Sequence, residues 1–181
     1  MGLLVGGDSA EREVSLIGGM AVLAGLRRSG LDTEMFDGSA DLFEAIQKDR
    51  IDRVFNLIHG PGGEDGAIQG ALQLMNVPVT GASLLGSALS MDKVRSKWIW
   101  ERQGINTPPF TLLREGESLS DEFVDRWGMP LFVKPAGLGS SIGISKVSDV
   151  ANIAAAISLA REYSEVVIVE PEVKGNEYFA G

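Results

Sequence analysis

Cysteine is missing from the 181-residue sequence, which excludes disulfides, thiolate nucleophiles and Cys-ligated zinc or iron–sulfur centres. There is one histidine, His59, so no metal site can be built from histidines alone. Apolar runs are short, and none approaches the roughly 18 residues needed to cross a bilayer. The opening MGLLVGG carries no basic segment, and Gly6 stands where a myristoylation signal wants Ser or Thr. The expected location is therefore cytoplasmic, with no membrane partner. Basic residues are scarce beside acidic ones, 16 against 25, for a net charge of −9. Such a field repels nucleic acid, and a phosphate-bearing ligand would have to be held by local lysines and backbone amides. What remains is a globular composition, 44% hydrophobic and 23% charged, with an excess of glycine at 23 residues. The glycines stand in clusters between apolar runs, where backbone must turn sharply or approach a ligand.

The apolar pattern alternates between strand and helix. Leu3–Val5 reads as a buried strand ending at Gly6-Gly7. A helix follows, with Asp8 as cap, Glu11 as the third residue of a capping box, and Val14, Ile17, Ala21 and Ala24 in helical spacing. Residues 33–36 form a second strand, 41–48 a helix, and 53–58 a third strand that runs into the glycine-rich loop 59–66. A helix then carries Ile68, Ala71, Leu72 and Met75, and 77–79 is a short fourth strand. This order predicts a parallel sheet whose ligands sit beyond the strand C-termini. A single helix is expected over 83–103, with Gly104 and Pro108-Pro109 as a hinge into a second unit. There, strands are expected at 110–113, 131–133 and 166–169, and helices at 121–127 and 149–161. A further strand begins at Phe179, so more sequence is expected beyond Gly181.

Several groups invite a chemical reading, each with a plain structural one beside it. Gly137-Leu138-Gly139-Ser140-Ser141-Ile142-Gly143, after a strand and Lys134, has the makings of an anion nest: mobile amides, two hydroxyls and a charge. Taken alone it is equally a flexible hairpin. Gly139–Gly143 also fits the G-x-S-x-G elbow of serine hydrolases, but His59 precedes the serine where that chemistry needs a following base. Glu11 is a helix-capping residue or a carboxylate for a substrate ammonium. His59 ends a strand, which favours a site. Lys93 and Lys97, four apart on a helix, read as a solvated face, as do Glu170, Glu172 and Glu177.

Taken in chain order, these pieces resemble the D-alanine–D-alanine ligases. The resemblance is carried by Gly6–Leu16, by His59–Gly66 with Gln69-Gly70, by Ser87-Ala88 with Met91-Asp92-Lys93 and Lys97, and by Val133-Lys134-Pro135 with Gly139–Gly143. It spans nearly the whole chain, with Val79 departing from the tyrosine that is common before Thr80-Gly81. The resemblance implies an α/β fold: an N-terminal parallel-sheet, Rossmann-like (pre-ATP-grasp) domain over 1–86, then the small central α+β domain of an ATP-grasp fold over 87–170. The truncated start of a third domain would be 171–181.

The activity implied is ligation of two D-alanines through an acyl phosphate, with ATP split to ADP and phosphate, for peptidoglycan synthesis, cell wall biogenesis and cell shape. ATP and Mg²⁺ (or Mn²⁺) are the implied cofactors, and a homodimer packed through the first domain the implied assembly. By the same resemblance Glu11 and Ser140 are catalytic, and Glu11, Val14, His59 and Ser140 hold substrate. ATP is held by Lys93, Lys134, Ser140, Ser141, Glu170, Pro171, Val173 and Glu177, through the Pro171 carbonyl and the Val173 amide at the adenine and Glu177 at the ribose. Lys97 and Glu172 acquire no role. Metal ligands are expected only after Gly181, so the 181 residues alone are expected to make no dipeptide. Glu11 and Ser140 are expected to converge on a shared cavity. Alternatives are D-lactate or D-serine as second substrate, another ATP-grasp carboxylate–amine ligase, and a non-catalytic module that binds ATP or an amino acid.

Overall fold

A computed structural model describes residues 1–139 and 141–178. The chain divides into two compact units, Met1–Met91 and Asp92–Gly181, against a first boundary of 86/87 expected from the resemblance. In the first unit β1 (Gly2–Val5), β2 (Glu34–Asp37) and β3 (Val54–Asn56) form a parallel sheet in the order β2-β1-β3. The central strand β1 is buried over its whole length, as expected of the middle of a parallel sheet. Around it lie α1 (Arg12–Arg28), α2 (Ser39–Gln47), α3 (Ala67–Leu74) and α4 (Leu84–Met91). Leu4, Phe36, Leu42, Val54, Ile58 and Leu72 make the core.

Three expectations for this unit need correction. Asp8 does not cap α1 and no capping box forms: Glu11 itself is the cap position, without a side-chain cap bond. Gly6 and Gly7, both at positive φ, carry the chain through a turn that delays the helix to Arg12. Next, the face of α1 that meets the core is not the apolar stripe. Ser15 and Gly19 are buried, whereas Val14, Ile17 and Met20 are 60–72% exposed. The reason is close packing, because a Cβ on Gly19 would lie 2.6 Å from Val5 Cγ1. Finally, residues 77–79 make only an isolated parallel bridge, Val54 to Val79. Val54 N donates to the Pro78 carbonyl at 2.9 Å, but Pro78 has no N–H with which to extend the ladder.

The helix expected over 83–103 is two helices, α4 and α5 (Lys93–Arg102). Asp92 between them is extended and accepts from Arg95 N at 2.9 Å, so the second helix restarts with its own N-cap. The second unit continues with β4 (Thr111–Leu113), α6 (Asp121–Trp127), β5 (Leu131–Pro135), β6 (Ser145–Val147), a 3₁₀ turn (Val150–Asn152), α7 (Ile153–Arg161) and β7 (Val167–Pro171). Its sheet is antiparallel in the order β4-β7-β5-β6, and α7 packs on it through Ile153, Ala156, Ile157 and Ala160. The sequence reading did not foresee β6, whose Ser-Lys-Val has no strand pattern of its own. Pairing with β5, Leu131 to Val147 and Val133 to Ser145, makes it a strand. β7 runs on to Pro171, so Glu170 and Pro171 lie within the sheet rather than after it. Phe132 is paired with Glu170, and Lys134, two residues along β5, shares their face.

The close approach of α1 to β1 is testable. Gly19→Val should destabilise the protein by about 2–4 kcal/mol through overpacking. Gly25→Ala, whose Cβ would meet only the Arg28 guanidinium at 3.8 Å, should stabilise it by about 0.5–1 kcal/mol. Urea titrations of both variants check the pair; equal effects would contradict the packing account.

Candidate functional site

In the first unit the loops after β1 and β3 are tied by serines. Buried Ser15 accepts from Gly6 N at 2.8 Å and donates to the Leu57 carbonyl at 2.6 Å. Ser9 donates to the His59 carbonyl at 2.8 Å and accepts from Glu11 N at 3.2 Å. The start of α1 and the His59 loop are thereby held side by side, and a Cβ on Gly60 would lie 3.2 Å from Glu11 Oε2. Two of the expected substrate residues, Glu11 and His59, are thus brought together at the C-terminal edge of the parallel sheet. Val14 is on the exposed side of α1. The loop itself is braced from within: Asn56 Nδ2 and Gln69 Nε2 both donate to the Gly63 carbonyl at 2.8 Å, and Gly60 N donates to Glu64 Oε2 at 2.8 Å. A cavity of about 580 Å³ opens beside these loops, walled by Gly7, Asp8, the Arg12–Asp37 ion pair, Phe43, Ile58 and Ile68 among others.

In the second unit a charged cluster lies on one face of the sheet. Glu170 is only 6% exposed. Lys134 pairs with its Oε1, and the ammonium of Lys97 stands 2.8 Å from Oε2. Burial works against the Glu170 charge, but the two lysines outweigh it and hold the carboxyl below its usual range. Lys93, in the first turn of α5, donates to the Pro135 carbonyl at 3.1 Å and to that of Leu138, so it grips the start of the glycine loop. Burial lowers the pKa of Lys93, and the charge of Lys134 lowers it further. Ser141 is exposed, with φ +59, a left-handed conformation uncommon for a side-chain-bearing residue. Ser140 lies outside the described residues. Pro171 ends β7, and Val173 and Glu177 beyond it are exposed.

Lys97 overturns its reading as a solvated surface lysine, being 5% exposed with its charge in a built pocket. Only its position three residues after buried Val94, on the inner side of α5, hinted at this. Glu172 is half-buried and paired with Lys146. The arrangement gathers three ammonium groups near one end of the sheet in a chain of net charge −9. Chemically, it suits an anion held beside the 136–143 loop.

Comparison with known proteins finds one family along the chain. A family model described as "D-ala D-ala ligase N-terminus" matches residues 32–82, and one described as "D-ala D-ala ligase C-terminus" matches 99–180. The chain is 45% identical over 176 residues to the D-alanine–D-alanine ligase B of Chromobacterium violaceum, covering 97% of this chain and 58% of that protein. It is 45% identical over 178 residues to the D-alanine–D-alanine ligase of Nitrosomonas europaea, covering 98% and 58%. Among solved structures, that of the Bacillus anthracis D-alanine–D-alanine ligase complexed with ATP superposes with a TM-score of 0.83 at 32% identity, covering 96% of this chain and 58% of that one. The chain thus spans a little over half the length of the relatives it matches.

The Glu170 cluster has a pH signature. Because the folded-state pKa is depressed, its contribution to stability is complete above the ordinary value of 4.5 and is lost as pH falls through the folded value. Glu170→Gln should cost about 3 kcal/mol or more near pH 7 by leaving lysines buried without their counter-ion. Denaturant titrations should show that gap closing as pH falls below about 4.5; a gap independent of pH would contradict the assignment.

Proposed function

The chain belongs to the D-alanine–D-alanine ligase family, and on that premise we propose that its function is the ATP-dependent ligation of two D-alanines to D-alanyl-D-alanine. The observation that carries the reading is the gathering of Lys93 and Lys134 beside the glycine loop, local cations set against an acidic whole. The ATP complex of the Bacillus anthracis relative supports the choice of nucleotide.

A carboxylate is a poor acyl donor until its oxygen becomes part of a good leaving group. In the proposed reaction a carboxylate oxygen of the first D-alanine attacks the γ-phosphorus of ATP, and the bond from that phosphorus to the ADP oxygen breaks. The amine of the second D-alanine then attacks the acyl carbon. A C–N bond forms, phosphate leaves with the bonding pair, and the nitrogen gives up a proton. Little of this needs covalent help from the protein, so positioning and charge compensation dominate. Lys93 and Lys134 are assigned to the phosphates, together with the amides and hydroxyls of Ser140 and Ser141. Glu11 is assigned to the ammonium of the first D-alanine and His59 to the region of its carboxyl group. The Pro171 carbonyl, the Val173 amide and Glu177 are assigned to the adenine and ribose. Among the described residues no three Asp, Glu or His side chains gather to hold a metal ion, and no step here is routed through Mg²⁺ or Mn²⁺.

Cell wall precursor synthesis in the cytoplasm is the setting proposed with this product; no helix among the described residues is long and apolar enough to cross a membrane. A homodimer through the first unit is part of the proposal. It is supported by the apolar stripe Val14, Ile17 and Met20 that α1 leaves exposed.

In the complete protein, a coupled assay should detect ADP release that depends on D-alanine. Glu11→Gln should lower kcat/KM for D-alanine by about 10–100-fold, the loss of one charge-assisted contact. ADP release without D-alanine dependence would refute the ligase reading, and dipeptide replaced by a D-lactate or D-serine product would redirect it. For the dimer, Ile17→Glu should shift the sedimentation coefficient to that of a monomer; an unchanged dimer would move the interface elsewhere.

A further inference from the structure

We propose that Lys97 is a positioning residue that holds Glu170 as a permanent counter-ion, so that Lys134 can exchange this carboxylate for a nucleotide phosphate. The inference rests on the nucleotide-site reading above and deepens it.

Its basis is the unequal bonding of two lysines that share one carboxylate. An ammonium has three N–H donors. Lys97 donates to Thr107 Oγ1 at 2.8 Å and to the Pro108 carbonyl at 3.1 Å, and its charge is paired with Glu170 Oε2 2.8 Å away, with the Phe110 ring centroid at 4.9 Å. Two hydrogen bonds and one ion pair hold the ammonium, and the side chain is 7% exposed. Burial keeps it from meeting a ligand. Lys134 has 23% of its side chain exposed, and Glu170 is its only ion-pair partner among the described residues. The Phe132 ring lies 5.4 Å from its ammonium. Among the described residues its other two donors have no acceptor, which leaves them for an incoming anion.

Withdrawing Lys134 from a carboxylate with no other partner would strand a buried charge. Lys97 removes that obstacle, because one oxygen of Glu170 stays paired throughout. Charged groups reach Glu170 from each element packed against it: Lys134 from β5, and Lys97 and Lys93 from α5. Lys93 is committed to the Pro135 and Leu138 carbonyls, so it cannot replace Lys97 without releasing the loop. The cluster therefore has one fixed cation and one transferable cation around a single anion.

A merely structural Lys97 would not alter proton traffic; a counter-ion would. In the complete protein, ADP binding is followed by calorimetry in buffers of different ionisation enthalpy. The Lys97→Met variant should take up about one more proton per ADP than the wild type at pH 7, because Glu170 is stranded when Lys134 leaves. Its ADP affinity should fall as pH rises, by up to about tenfold per pH unit, and Lys97→Arg should restore the wild-type proton count. In the wild type, ¹⁵N-lysine NMR should show the Lys134 ammonium signal moving on ADP addition while that of Lys97 stays; this decides the matter if Lys97→Met fails to fold. Equal proton counts in wild type and Lys97→Met, or a Lys97 signal that moves as far as that of Lys134, would overturn the positioning role alone. A wild-type protein that binds no ADP would overturn the nucleotide site itself, and the exchange with it.

Discussion

A carboxylate taken out of water, with a lysine on each oxygen, governs the arrangement of the second unit. Glu170 on β7 reaches Lys134 on β5 and Lys97 on α5, so one ion cluster ties two adjacent strands to a helix. Such clusters are costly to form and costly to break, because removing the shared carboxylate leaves both lysines without their counter-ion. This fixes the end of β7 and aligns α5, which in turn brings Lys93 to the start of the glycine loop. The chain's overall acidity makes that local excess of cations informative. A net charge of −9 disfavours anions everywhere except where a fold has spent effort collecting lysines.

In the first unit the links between the loops after β1 and β3 are neutral hydroxyls. Ser15 and Ser9 link the loops that follow β1 and β3, and Gly7 lets those loops approach, since a Cβ there would lie 2.9 Å from Ile58 Cγ2. Hydroxyls suit this task because each can accept from one backbone group and donate to another within a small volume. Glu11 and His59 are adjacent as a consequence of that lacing, with no direct bond between them needed to explain it.

Strands with short unbroken apolar runs were legible from sequence: Leu3–Val5 lies within β1, and 131–133 within β5. The helix over 121–127 was legible too, because Ser120 supplies a conventional cap, accepting from Phe123 N. What escaped was set by partners distant in sequence. The buried face of α1 consists of a serine and a glycine, residues that no hydrophobic pattern marks as core, while its apolar stripe faces outward. β6 exists through its pairing with β5, and the break at Asp92 depends on a cap within an otherwise continuous helical pattern. The two site lysines of α5 look alike in sequence; only tertiary placement separates Lys97, buried against Glu170, from Lys93 at the loop. Of the proposed phosphate residues, Lys93, Lys134 and Ser141 can be located, and Ser140 lies outside the described residues.

A crystal structure of the complete protein with ADP bound tests the central claim most directly. The account predicts the Lys134 ammonium about 2.7–3.0 Å from a phosphate oxygen, with Glu170 still paired to Lys97 and the adenine beside Pro171 and Val173. Phosphates bound away from Lys93 and Lys134, with Lys134 still on Glu170, would contradict it.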